Sequence, residues 1–277
     1  MYLYTAMAVK KIRNISFAGA GNVAIHLAPA MAGAGFRIRH IFSRTAAHAQ
    51  SLADFTGSIA STDPGIIDDT TDLLLLAIPD QAIGEFASGL KKAGRYNGLI
   101  AHTSGTCPLS AISEHFGAAG VFYPLQTFSR FSTPEIRKVP VCIEADSVET
   151  ETLLRQVATG ISDDVRVIDS EHRALLHLSA VFACNFPNHL YVIASRILKQ
   201  AGIGEDILLP LIRETALRLG DTDPLLLQTG PAVRGDLTTM QRHLHLLEDQ
   251  PSILQIYKIL SESIQEFEKY NKTSDIS

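Results

Sequence analysis

One short segment, Gly19-Ala20-Gly21-Asn22-Val23-Ala24, constrains this chain more than any other. It has the form G-x-G-x-x-A. It follows a β-rich stretch over residues 11–18 and opens an apolar-periodic stretch over 22–33 that reads as a helix. In that setting the first glycine permits a tight turn, and the second lets backbone approach a pyrophosphate. The small third residue lets helix and strand pack closely. The free N–H groups and positive dipole end of the helix then favour an anion. Gly19, Gly21, Asn22 and Val23 are the expected pyrophosphate contacts. A plain strand–helix turn is the alternative, and Pro29 is irregular inside the helix. A second strand over 36–42 follows at the distance a dinucleotide-binding βαβ unit requires.

The end of that second strand separates NAD from NADP. Residues 37–50, RIRHIFSRTAAHAQ, contain no carboxylate. An NAD site usually places Asp or Glu there to hold the ribose hydroxyls. Ser43, Arg44 and Thr45 stand there instead. A hydroxyl and a guanidinium suit a 2′-phosphate, which a carboxylate would repel. NADP(H) is therefore the expected cofactor. A solvated loop arginine is the alternative for Arg44.

Strand and helix alternate through the first part of the chain. Strands are expected over 11–18, 36–42, 58–60, 72–78, 98–103, 121–123, 139–143 and 165–168. Helices are expected over 22–33, 46–55 and 81–93, the last capped by Asp80. This predicts an α/β fold, a doubly wound, mainly parallel sheet over residues 1–168. The rest, 169–277, carries no convincing strand and predicts an all-α domain. Its helices fall over 171–200, 204–219, 236–247 and 251–270, with Pro187 and Pro210 expected to kink or divide the first two.

Composition narrows the class. With 277 residues, 46% hydrophobic and 19% charged, the chain can bury one large core or two modest ones. A net charge of −5 argues against a nucleic-acid partner. The longest clean apolar run, residues 73–79, is far short of the roughly 20 residues a membrane span needs. The first ten residues are too short for a signal-peptide core. Three cysteines, Cys107, Cys142 and Cys184, have no metal-binding spacing and are expected as buried, reduced thiols. A cytoplasmic protein is expected, with no metal, no nucleic acid and no membrane.

In open α/β sheets the ligand lies beyond the carboxyl ends of the strands. Ala77, Ile78, Pro79 and Asp80 follow one strand, and His102, Thr103 and Ser104 the next. Tyr123-Pro124-Leu125-Gln126-Thr127 follows a third. Ala77–Asp80 and Ser104 are the expected nicotinamide-side contacts, and Gln126 a substrate contact. Turn formation and capping are the alternatives. In the helical part His177, Val181, Asn185 and His189 are spaced by four and share a face if the helix is continuous. His177 is the leading proton donor, His102 the second, and Asn185 an orienting group. Satisfied core polar groups are the alternative. Arg234, in the turn over 229–236, could bind an anionic substrate, with Asp236 as the next helix cap.

The ordered set GAGNVA, SRT, AIPDQAI, HTSG, YPLQTFS and TGPAVRGD resembles Rossmann-like proteins with a C-terminal domain of unknown function, DUF2520. Many of these are NADP oxidoreductases by name only. The likeness spans roughly residues 10–268. More broadly the chain is similar to the superfamily of pyrroline-5-carboxylate reductase, F420-dependent NADP reductase, β-hydroxyacid dehydrogenases and ketopantoate reductase. The resemblance implies an N-terminal Rossmann domain for NADP(H). It also implies a helical C-terminal domain like that of 6-phosphogluconate dehydrogenase, which commonly dimerises. One departure stands out. The β-hydroxyacid and ketopantoate enzymes carry a catalytic lysine four residues before an asparagine. Here Val181 stands four before Asn185, and no lysine occurs between Lys138 and Lys199.

These features predict an NADP(H)-dependent oxidoreductase that transfers hydride to or from a small keto or hydroxy acid, or an imine, held between two domains. Two alternatives remain open: a non-catalytic NADP(H)-binding sensor, and a cyclic imine reductase resembling pyrroline-5-carboxylate reductase. A homodimer through the helical domain is expected.

Overall fold

The computed structural model describes residues 11–220 and 222–274. It divides into two compact units, with the boundary between Asn185 and Phe186.

The first unit is built on one sheet. In chain order it runs β1 (Asn14–Ala18), α1 (Asn22–Gly33), β2 (Arg37–Phe42), α2 (Ala46–Thr56), β3 (Ile59–Ser61) and β4 (Leu73–Leu76). It continues through α3 (Asp80–Ala93), β5 (Leu99–His102), α4 (Ser110–Ser113), β6 (Ala119–Pro124), β7 (Val141–Ala145), α5 (Val148–Ile161), β8 (Val165–Val167) and α6 (Ser170–Ala180). The eight strands lie in the order β3-β2-β1-β4-β5-β6-β7-β8. All pairs are parallel except β6 with β7. The strand order reverses beside β1, between β1 and β4. Crevices at such reversals are where open α/β sheets bind ligands.

Two apolar layers hold the sheet. Residues of opposite parity on each strand face opposite sides. Phe17, Leu73, Leu75 and Ala101 meet α1, α2 and α5, whereas Ala18, Leu74, Leu76 and Ile100 meet α3 and α4. All four leucines of β4 are fully buried. That is why this strand reads as a continuous apolar run rather than an alternating one. Each such leucine contributes on the order of 2 kcal/mol by leaving water.

The texture change at residue 168 marks where the strands end, but the compact unit reaches further. Arg173 of α6 is fully buried and ion-pairs with Glu144 of β7. Leu176 packs against Val121, Tyr123 and Cys142. These contacts tie α6 to the sheet. The stretch predicted as one helix over 171–200 is interrupted by a π-helical segment, Val181–Asn185, before α7 (Phe186–Gln200). Pro187 has no N–H to bond the carbonyl four residues back, which weakens the α register there. The helix is therefore not continuous in α register over the stretch in which Val181 and Asn185 fall.

The second unit is helical. After α7 a 3₁₀ turn, Glu205–Leu208, leads into α8 (Leu209–Leu217), which carries Pro210 in its first turn. Pro210 therefore opens a helix, where its missing N–H costs nothing, rather than kinking one. Then follow α9 (Pro231–Arg234), α10 (Leu237–Leu246) and α11 (Pro251–Ser274). Asp236 caps α10 by accepting from the Thr239 N–H at 3.0 Å. Among the described residues, no helix is long and apolar enough to cross a membrane.

Candidate functional site

The turn between β1 and α1 is fixed by close packing. Gly19 has φ +111°, and a Cβ there would stand 2.1 Å from the Ala77 carbonyl oxygen. Only glycine fits. Ala77 N–H in turn donates to the Ala18 carbonyl at 2.7 Å, so the turn is sewn to the start of the β4–α3 loop. Gly21 differs: its Cβ position meets nothing within 4 Å. It is the N-cap of α1, with no side-chain cap bond and no acidic residue in the first turn. The first N–H groups of α1, from Asn22 onward, thus lack any intrahelical partner. Ala24, in the third position of the motif, is fully buried.

Beside this turn lies a groove of about 300 Å³, lined by Gly19, Gly21, Phe42–Thr45, Ala77–Pro79, Ala82 and Phe86. Phe42 and Phe86 meet with ring centroids 5.4 Å apart. Ser43 Oγ accepts from the Thr45 N–H at 3.3 Å and shapes the loop before α2. Arg44 is exposed and, among the described residues, forms no ion pair. The structure thus brings the glycine turn, the Ser43-Arg44-Thr45 loop and Ala77–Pro79 to one groove.

Asp80 departs from its expected place. It is the first residue of α3, Pro79 is the N-cap, and the carboxylate makes no capping bond. It accepts from Thr106 Oγ1 at 2.6 Å instead, linking the β4 rim to the loop after β5.

That loop is rigidly held. Thr103 donates to the Leu76 carbonyl through both N–H (3.1 Å) and Oγ1 (3.2 Å). Ser104 Oγ accepts from the N–H groups of Thr106 (3.1 Å) and Cys107 (2.9 Å), so its lone pairs serve the turn. Arg173 Nη2 donates to the Cys107 carbonyl at 2.6 Å, and the Leu109 N–H donates to Ser170 Oγ at 3.1 Å. His102 is fully buried, with Nδ1 accepting from the Ser104 N–H at 3.3 Å. Burial, aided by the nearby Arg173 guanidinium, lowers its pKa to about 4. A ring that stays neutral at physiological pH holds the loop and is a poor acid. Its place in the loop fits the alternative of a structural histidine.

His177 is half-buried on α6, and its Nδ1 lies 3.1 Å from Tyr123 Oη at the end of β6. The loop packs flat beneath the ring: a Cβ on Gly105 would stand 2.6 Å from His177 Nδ1. Burial pushes the Tyr123 phenol up to about 12, so it stays protonated. A phenol and an imidazole in contact can pass or steer a proton.

The remaining expected site residues are exposed. Gln126 is exposed, its Oε1 accepting from the Thr127 N–H at 2.8 Å. Asn185 is exposed at the end of the π-helical segment. Arg234 is exposed on α9 of the helical unit. Cys107 and Cys142 are buried, but Cys184 is exposed, against expectation. Two residues escaped the sequence reading: the Tyr123 hydroxyl and the buried Arg173. Arg173 falls one turn before His177 on the same helical face, which is the signal available for it.

A protein from Bacteroides fragilis, named "putative NADP oxidoreductase", is 38% identical, with TM-score 0.88 over 94% of this chain and 100% of that one. The model of the domain of unknown function DUF2520 matches residues 139–264. This chain belongs to the family of Rossmann-like proteins with a C-terminal DUF2520 domain. The DUF2520 match begins at β7 and so takes in the end of the sheet as well as most of the helices. At the level of fold alone the protein is similar to an imine reductase from Streptomyces aurantiacus, 17% identical, with TM-score 0.64 over 91% and 96% of the two chains. The same holds for a reductive aminase from Aspergillus terreus in complex with NADPH, 13% identical, with TM-score 0.69 over 94% and 99%. No curated protein sequence matches the chain.

Proposed function

We propose that this DUF2520 protein is an NADP(H)-dependent oxidoreductase acting on a small molecule with a C=O or C=N bond. The observation that carries the reading is the groove in which an uncapped helix N-terminus meets an arginine without a carboxylate partner. Open space at Gly21 and free N–H groups on α1 suit a pyrophosphate. Ser43, Arg44 and Thr45 suit the 2′-phosphate of NADP(H), and Ala77, Ile78 and Pro79 the nicotinamide side. The name of the Bacteroides relative and the NADPH complex of the aminase support the same cofactor.

The nicotinamide supplies the hydride when bound. The chain's own residues bind, orient and handle the proton. His177 is the group we place at the proton-transfer step, with its ring held by Tyr123 Oη and seated on Gly105. Asp80 and Thr106 keep the two rim loops in register. Positioned proton transfer of this kind typically contributes 10²–10⁴-fold. The test is NADPH oxidation with a panel of keto acids, cyclic imines and flavin-like acceptors. Acceleration by a keto acid or imine supports the enzyme. Tight NADPH binding with no acceleration by any member favours the sensor reading.

We also infer that the helical unit self-associates. Leu211, Leu217, Leu226, Leu237, Leu246 and Ile259 are each more than half exposed. Large apolar side chains left this exposed are a common mark of an interaction surface.

A further inference from the structure

The loop joining β6 to β7 crosses the first turns of α1. His26 Nε2 donates to the Ser129 carbonyl at 2.9 Å, and the His26 ring stacks on Phe128 at 5.0 Å and 23°. This pins the loop near the glycine turn. The next residue, Arg130, then reaches α2, where its Nη2 lies 3.5 Å from His48 Nε2. Both side chains line a second cavity of about 330 Å³ between α1 and α2. That cavity shares Ala20 and His48 as lining residues with the groove described above, so the two lie side by side at the middle of the glycine motif.

The charges around this junction are one-sided. Arg44 stands on the groove side and Arg130 on the other, with the His48 ring, which lines both and accepts from Arg130 at Nε2, between them. Among the described residues neither arginine nor His48 forms an ion pair with a carboxylate. Two guanidiniums near one another without a carboxylate repel, and a bound anion removes that cost. The first turn of α2 also contains no acidic residue.

We propose that Arg130 is a specificity-determining residue for the nucleotide: its guanidinium joins Arg44 and His48 around the 2′-phosphate of NADP(H). The inference rests on the NADP(H) reading of this groove and adds a contact from outside the βαβ unit. The Ser43-Arg44-Thr45 loop approaches the phosphate from the end of β2, whereas Arg130 comes from the far edge of α1. Binding of the phosphorylated cofactor and placement of the β6–β7 loop become coupled through it. A guanidinium recognises phosphate through paired N–H donors, which an ammonium reproduces only as a point charge.

The test is calorimetric titration of the full chain with NADPH and with NADH, for wild type, Arg130→Glu and Arg130→Lys. Arg130 is exposed, so neither substitution disturbs the core. Arg130→Glu is expected to weaken NADPH about tenfold or more and to leave NADH unchanged. Arg130→Lys, which keeps the charge but not the paired donors, is expected to fall between wild type and Arg130→Glu for NADPH. Wild-type NADPH affinity in Arg130→Glu, or equal loss for both nucleotides, overturns the proposal while the cofactor reading stands. A wild-type protein that binds neither nucleotide overturns both.

Discussion

Tyr123 Oη and His177 Nδ1 lie 3.1 Å apart, joining the carboxyl end of a central strand to the helix that follows the sheet. Because burial raises the phenol's pKa to about 12, the hydroxyl stays protonated and can either donate to Nδ1 or accept from it, according to the imidazole tautomer. Either way the contact fixes the orientation of the ring. Tyr123→Phe deletes one atom and keeps the packing. It is expected to lower turnover of an accepted carbonyl or imine about tenfold or more and to leave NADPH affinity unchanged. His177→Ala is expected to do the same, and the double variant to be no worse than the poorer single one. Full turnover in Tyr123→Phe would remove the pair from the chemistry.

His102 carries a stability consequence with a definite sign. Its pKa is 6.5 when unfolded and about 4 when folded. Above pH 6.5 both states are neutral, and the native state keeps its full stability. As pH falls from 6.5 toward 4, the unfolded state takes up the proton first, and stability drains away. The full effect is about 3 kcal/mol. Chemical denaturation across this range should show the loss in wild type and a smaller slope in His102→Asn. Identical slopes would contradict the buried, neutral ring.

Self-association is read by light scattering. The exposed leucines of the helical unit predict a dimer at micromolar concentration. Leu211→Glu together with Leu217→Glu is expected to shift the species toward monomer. A monomeric wild type would contradict the inference.

What was legible in the sequence was local. The glycine turn, the apolar run of β4 and the Asp236 cap each arise from residues within a few positions, and the structure places them where their chemistry requires. What was illegible was long-range. Tyr123 meets His177 across 54 positions, and Arg173 meets the Cys107 carbonyl across 66. No periodicity encodes such pairs. Asp80 had the right residue type for a cap, but Thr106, brought close by the sheet, offered its carboxylate another donor. Pro187 announced an interruption without specifying a π segment.

The central claim is that a phosphorylated dinucleotide lies along the amino end of α1 with Arg44 beside its adenosine ribose. Isothermal titration of wild type and Arg44→Asp with NADPH and NADH tests it most directly. Wild type should prefer NADPH, and Arg44→Asp should lose that preference by weakening NADPH at least tenfold while NADH changes little. No heat with either nucleotide, or an unchanged preference in Arg44→Asp, would contradict the account.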